Sequence, residues 1–182
     1  MFLKPNRVID FLTKHLILVK GFRVADFGCG GGYFSVLLAQ TVGPDGQVFA
    51  LDFSAEAVKE TKELAEVLNL NNIDCALVNL ERTNLLSESV DLVFISQVLF
   101  QNHAEADKRI IDEAKRVLRR KGYVVLVEPD QVHPFLKPFS QTDDYKVVSA
   151  DQIKAWLAQA GFSLIAAENF DGYHLFAGQV EN

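Results

Sequence analysis

A chain of 182 residues has the length of one domain with room for a hydrophobic core. Its 49% apolar and 23% charged residues exclude a disordered chain, and its net charge of −6 repels phosphate backbones, which argues against a nucleic-acid partner. The two cysteines, Cys29 and Cys75, form neither a disulfide framework nor a metal-ligand spacing, so a reducing compartment and no bound metal are expected.

Residues 1–20 carry apolar positions interrupted by Lys4, Arg7, Asp10, Lys14 and His15. That pattern predicts an amphipathic helix rather than a signal peptide or a membrane span, hence a soluble, cytoplasmic protein. Gly21 breaks the helix, Phe22–Phe27 reads as a first strand, glycines follow at once, and Phe34–Thr41 continues as a helix. Pro44-Asp45-Gly46 turns the chain into a second strand, Val48–Asp52. Ser54 is placed to cap a helix carrying Val58, Leu64, Ala65 and Leu68. Ile73–Val78 and Val90–Ser96 are the third and fourth strands, Ile110–Leu118 is helical, and Gly122 restarts the chain into a fifth strand, Tyr123–Glu128. The basic run Lys115, Arg116, Arg119, Arg120, Lys121 closes that helix, where cations offset the negative end of its dipole.

Pro129–Val148, with three prolines and three aromatics, reads as an irregular excursion. Ser149 and Gln152 then form a capping-box pair for a helix through Trp156 and Leu157 that stops at Gly161. Phe162–Ala167 and Tyr173–Gln179 flank Asp171-Gly172, a type I′ hairpin signal. Strands alternating with helices predict an α/β fold. Its doubly wound, mostly parallel sheet of seven strands has helices on both faces and a terminal antiparallel hairpin strand. The expected organisation is a single domain over 1–182, with 1–20 as an N-terminal helix or cover and 130–149 as a lid loop. Ligands bind such sheets outside the carboxyl ends of the strands, in the loops after Phe27, Asp52, Val78, Ser96 and Glu128.

The loop Asp26-Phe27-Gly28-Cys29-Gly30-Gly31-Gly32 lets backbone amides approach a ligand. A dinucleotide fingerprint from Gly28 would need Gly or Ala where Tyr33 stands, and one from Gly30 would need it where Ser35 stands; the Gly-Lys-Ser/Thr of a Walker loop is missing. What stands instead, Val24 through Phe34, resembles the first motif of class I S-adenosylmethionine-dependent methyltransferases. The resemblance implies a Rossmann-like fold and S-adenosylmethionine as cofactor, with Asp26, Phe27, Gly28, Gly30 and Gly32 around its methionine part. It further implies Asp52 on the ribose hydroxyls, Phe53 against the adenine, and Asn79 with Leu80 after the third strand. Relatives usually carry an Asp at the position of Asn79, whose carbonyl oxygen can still accept. Ser96-Gln97-Val98-Leu99-Phe100 resembles the fourth-strand exit that passes the sulfonium, and Ala114–Glu128 the helix-to-fifth-strand stretch.

The resemblance leaves the acceptor open. An Asn/Asp-Pro-Pro-Tyr/Phe sequence is missing after the fourth strand, as are a Pro-Cys nucleophile and a cysteine set suited to arsenic. His103, Glu128, Asp130 and His133 lie just beyond strands four and five and are the candidates for acid–base work. Phe135, Phe139 and Tyr145 either line a lid or pack the excursion onto the sheet. The short N-terminal cover suggests a compact acceptor, cover from a second subunit in a homodimer, or a site open to a protein side chain. The expected activity is methyl transfer to a small molecule; a non-catalytic cofactor-binding sensor or assembly module is the alternative, and a nicotinamide-dependent dehydrogenase a weaker one.

Overall fold

Consecutive side chains of β1 (Arg23–Phe27) and β4 (Val90–Ser96) enter two different apolar layers. Val24, Leu92 and Phe94 join one; Ala25, Phe27, Val93 and Ile95 join the other. A strand buried on both faces needs apolar residues at every position, which is why these segments read as unbroken apolar runs. The computed structural model describes residues 3–99, 104–130 and 147–181.

β1, β2 (Gln47–Asp52), β3 (Ile73–Leu77), β4 and β5 (Leu118–Pro129) pair in parallel. β7 (Tyr173–Val180) runs antiparallel between β5 and β6 (Phe162–Phe170), giving the order β3-β2-β1-β4-β5-β7-β6. The expected seven-stranded, doubly wound sheet with its terminal antiparallel strand is therefore present. α1 (Pro5–Lys14) and α2 (Tyr33–Val42) cover one face through Val8, Phe11, Leu12, Leu38 and Val42. α4 (Ala104–Val117) and α5 (Ala150–Gln159) cover the other through Ile110, Ala114, Ile153 and Trp156. α3 (Ala55–Val67) lies along β2 and β3 and buries Thr61 and Ala65. Phe27 and Phe94, fully buried on opposite faces, each contribute about 1.5–3 kcal/mol of transfer free energy.

The local signals act through the expected atoms. Ser54 Oγ accepts from the Ala57 amide at 3.3 Å, and Ser149 Oγ from the Gln152 amide at 3.2 Å, each satisfying a donor that its helix leaves open. Asp171 (φ 54°) and Gly172 (φ 79°) both adopt the left-handed conformation that a type I′ turn demands. That turn also holds α1: Arg7 donates to Asp171 Oδ1 at 3.2 Å, and its guanidinium lies 4.8 Å from the centre of the Phe170 ring.

Several boundaries differ from the sequence reading, and the helix expected over Ile110–Leu118 starts six residues earlier, at Ala104. β5 begins at Leu118, ahead of Gly122, because buried Leu118 already pairs with Val90. The register then shifts between Val90 and Leu92, with Lys121 at φ 60°, and a Cβ on Gly122 would lie 2.9 Å from the Arg119 carbonyl oxygen. β6 extends to Phe170, right up to the hairpin turn. The basic run is largely consumed at this end of the sheet. Lys115 Nζ donates to the Gly161 carbonyl at 2.8 Å, Arg116 pairs with Glu113 and donates to Ser87 and to the Leu85 carbonyl, and Arg119 pairs with the buried Asp91. No helix among the described residues is long and apolar enough to cross a membrane.

Candidate functional site at the carboxyl edge

β1 and β4 are adjacent in the sheet yet lead to helices on opposite faces, so a crevice opens where their carboxyl ends diverge. The glycine loop occupies it. Gly28, Gly30 and Gly32 all have positive φ (80°, 52° and 83°). The Gly28 and Cys29 amides donate to the Leu51 carbonyl, and the Gly32 amide donates to the Cys29 carbonyl. The glycines serve different ends. A Cβ on Gly28 would lie 2.3 Å from Val98 Cγ2, and one on Gly32 would lie 2.9 Å from the backbone and side chain of Thr61, whereas one on Gly30 would meet nothing within 4 Å. Thr61 also braces the loop by donating to the Gly30 carbonyl at 2.7 Å.

Two buried carboxylates flank this loop. Asp26, at the end of β1, accepts a 2.5 Å hydrogen bond from Ser35 Oγ in the first turn of α2. Burial pushes its acid constant up to about 7, against the lowering effect of Ser35 and with a further rise from Asp52. Asp52, at the end of β2, accepts from the Gly30 amide at 3.0 Å and from the Ser54 amide at 2.9 Å. Its two oxygens are thus fixed in orientation by backbone donors, while each retains capacity for another donor. Burial also pushes the Cys29 thiol up to about 12, so it stays protonated and unreactive near neutral pH.

Beside the loop lies a cleft of about 580 Å³ lined by Phe53, Leu77, Val78, Asn79, Leu80, Glu81, Val98 and Ile110. Phe53 is 74% exposed, a large apolar side chain standing on the cleft wall rather than in the core. Leu80 is buried beneath. Asn79 Oδ1 accepts from the Glu81 amide at 2.8 Å, so the carbonyl expected to face a ligand is already engaged in a local turn. Phe27 differs from its neighbours in the motif: its side chain is fully buried in the layer with Ala25 and Ile95, so it packs the sheet beneath the loop.

At the ends of β4 and β5 the arrangement is polar. Ser96 Oγ is buried without a hydrogen-bond partner among the described residues. Glu128 is fully buried, and its Oε1 accepts from the Val98 and Leu99 amides, both at 3.1 Å. The need of a strand-end carboxylate for partners is met here by the backbone of the turn after β4. Gln97 takes φ 57°, uncommon for a residue with a side chain. Asp130 donates its amide to the Gly172 carbonyl, and its Oδ1 is buried without a hydrogen-bond partner among the described residues. Tyr173, first seen in the sequence only as a hairpin residue, directs its hydroxyl to Gln97 Oε1 at 3.5 Å. Only the pairing of β7 with β5 brings Tyr173 to this edge. Phe100, His103, His133, Phe135, Phe139, Tyr145 and most of the 130–149 lid segment lie outside the described residues.

A methyltransferase-domain family model matches residues 18–174. The chain belongs to the class I S-adenosylmethionine-dependent methyltransferase family. This methyltransferase domain is 32% identical to the arsenite methyltransferase of Halobacterium salinarum over 154 residues, 81% of this chain and 39% of that protein. It is 28% identical to the tRNA U34 carboxymethyltransferase of Desulfotalea psychrophila over 170 residues, 87% of this chain and 51% of that protein. The methyltransferase domain therefore spans about two fifths to one half of these curated relatives. In three dimensions it superposes on a crystal structure of an S-adenosylmethionine-dependent methyltransferase from Aquifex aeolicus with a TM-score of 0.79 at 20% identity, covering 98% of this chain and 100% of that one.

The donor set suits a cationic, hydroxyl-bearing cofactor. An ammonium beside Asp26 would offset its burial, and Asp52 holds an oriented carboxylate of the kind that vicinal hydroxyls can share. Phe53 offers a flat face at the cleft. A dinucleotide would instead set its pyrophosphate beside the buried carboxyl of Asp26.

Proposed function

We propose that this chain transfers the methyl group of S-adenosylmethionine to a small-molecule acceptor in the cytoplasm. The observation that carries the reading is the pair of buried carboxylates, Asp26 and Asp52, on either side of a glycine loop held in the left-handed conformation. In this reading Asp26 meets the methionine ammonium, Gly28, Gly30 and Gly32 give the backbone close approach, and Asp52 takes the ribose hydroxyls. Phe53, Leu80 and Asn79 border the adenine, and Ser96 lies toward the sulfonium. The cofactor supplies an activated methyl on a positively charged sulfur. The chain's residues orient the two reactants, exclude water and oppose the positive charge, which is how a fold without a prominent catalytic constellation can accelerate a displacement.

A small acceptor, rather than a nucleic acid, fits the net charge of −6 and the use of Lys115, Arg116 and Arg119 within the fold. Arsenite does not follow from the relative that methylates it. Soft thiophilic elements are held by several thiolates, and this chain has two cysteines, one of them pushed up to about 12. The single-domain organisation, with residues 1–20 as cover and 130–149 as lid, and a homodimer that supplies further cover belong to the same reading; light scattering tests the dimer.

Titration calorimetry with S-adenosylhomocysteine and, separately, with a nicotinamide dinucleotide tests the cofactor. Binding of the first and not the second is expected, and the reverse overturns the proposal. Cofactor binding with no methyl transferred to any small molecule or to transfer RNA would instead favour the non-catalytic module.

A further inference from the structure

The cleft beside the glycine loop is lined mostly by apolar side chains, and Asn79 and Glu81 are its polar ones. Asn79 is placed there from two directions. Leu77 pairs with Asp52 in the sheet, and the Val78 amide donates to the Asp52 carbonyl at 2.8 Å, so Asn79 leaves β3 beside the acid given to the ribose. Leu80 and Val98, which line the same cleft, both lie within 4 Å of where a Cβ on Gly28 would stand, so the cleft also borders the loop. A ligand that meets Asp52 with its sugar hydroxyls has this cleft next in line for the ring it carries, with Phe53 on the wall.

The two polar side chains are committed differently. Glu81 Oε2 accepts from Arg109 Nε at 2.5 Å. Asn79 Oδ1 accepts from the Glu81 amide at 2.8 Å, and the Arg82 amide donates to the Asn79 carbonyl at 3.1 Å, which closes a turn around the side chain. A main-chain N–H only donates, so the Asn79 atom that faces it is the amide oxygen and not the nitrogen. The other end of the side chain is then Nδ2, which carries two N–H donors and no lone pair to offer. Asn79 is exposed, and Nδ2 has no hydrogen-bond partner among the described residues. A carboxylate in the same pose would place a second acceptor at that point, whereas the amide places a donor. The 6-position of adenine carries an amino group, a donor; a purine with a carbonyl there offers an acceptor.

We propose that Asn79 is a specificity-determining residue that meets the cofactor's base with an N–H donor, so that the cleft takes a purine with a 6-carbonyl at least as readily as adenine. The inference deepens the cofactor reading above and rests on it. Asp52 holds the sugar whichever base follows, and Phe53 and the apolar wall contact either base through its face. The difference between the two bases therefore falls on Asn79. Its donor is satisfied by a 6-carbonyl and is left facing another donor by a 6-amino group.

Titration calorimetry tests this with S-adenosylhomocysteine and S-inosylhomocysteine, the second carrying hypoxanthine in place of adenine. The parent protein should bind the inosyl compound at least as tightly as the adenosyl one. Asn79→Asp keeps an oxygen for the Glu81 amide and exchanges the donor for an acceptor, so it should favour the adenosyl compound about tenfold or more. A ratio of two affinities within one protein is unmoved by the fraction folded, which separates base reading from a merely structural role. The assignment is overturned if the parent favours the adenosyl compound tenfold or more, or if Asn79→Asp keeps the parent's ratio. It is equally overturned if the ratio follows Glu81→Gln instead. In each of those cases the adenosyl compound still binds and the cofactor reading stands. If neither compound binds the parent protein, both readings fall together.

Discussion

Replacing Asp26 by Asn probes the centre of the cofactor reading, because it removes a charge and almost nothing else. The side chain is 2% exposed, and desolvation lifts its acid constant from 3.8 to about 7. Without cofactor, the folded protein holds a proton on Asp26 between about pH 4 and about pH 7, while the unfolded chain has released it. The contribution is thus fully present below the unfolded value and is lost as pH rises through the folded one. A shift of about three units corresponds to about 4 kcal/mol, by which the ionised side chain burdens the apo protein above neutrality. The Asn variant, which keeps an acceptor for Ser35 Oγ, should remove that pH dependence and be the more stable protein at pH 8 in urea denaturation. Binding should show the mirror image. An ammonium beside Asp26 selects the ionised carboxylate, so affinity for S-adenosylhomocysteine should rise about tenfold between pH 6 and a plateau above pH 7. Calorimetry in buffers of different ionisation enthalpy should then detect nearly one proton released per cofactor at pH 6. In Asp26→Asn the plateau affinity should fall by about 1.5–3 kcal/mol, the worth of one charged hydrogen bond, and the proton release should vanish. Equal affinity in variant and parent, or no proton released at pH 6, would refute the role given to Asp26.

The glycine loop predicts a contrast between positions. Gly28→Ala combines φ 80° with a Cβ 2.3 Å from Val98 and should cost about 2–4 kcal/mol, whereas Gly30→Ala meets open space and should cost about 1 kcal/mol from its backbone alone; urea titration giving equal losses would contradict the loop geometry. Asp52→Ala should weaken S-adenosylhomocysteine by about 1.5–3 kcal/mol in calorimetry, and unchanged affinity would remove the acid from the ribose contact. Glu128→Ala leaves two buried amides without their acceptor and should lower stability by about 2–5 kcal/mol, while Glu128→Gln, which keeps one acceptor oxygen, should lose much less; equal losses in thermal denaturation would show that charge, not the Val98 and Leu99 amides, governs the site.

The parts of this molecule legible in its sequence are those governed by neighbours in the chain. Asp171-Gly172 announces a two-residue turn because its geometry depends on two φ angles, and both are left-handed in the structure. The four central strands show through as apolar runs because helices bury both of their faces. β5 illustrates the limit. Gly122 reads as a strand boundary, but Leu118 is already paired with Val90 and the glycine relieves a crowded register shift inside the strand, a condition set by Asp91 and Arg119 across the ladder. The same reason divides the site. The cofactor side, from Asp26 to Phe53, is built by one strand–loop–helix–strand unit, so its spacing is written in consecutive residues. The polar edge at the ends of β4 and β5 joins Gln97 to Tyr173 across 76 positions of sequence. Tyr173 reaches it only because β7 inserts antiparallel beside β5 and begins where β5 ends. Glu128, which the sequence marks as a buried strand-end acid in need of a partner, could have turned its carboxylate toward a substrate. Its partners are instead two main-chain amides of the turn after β4, donors that every residue except proline carries and that no side-chain pattern can reveal.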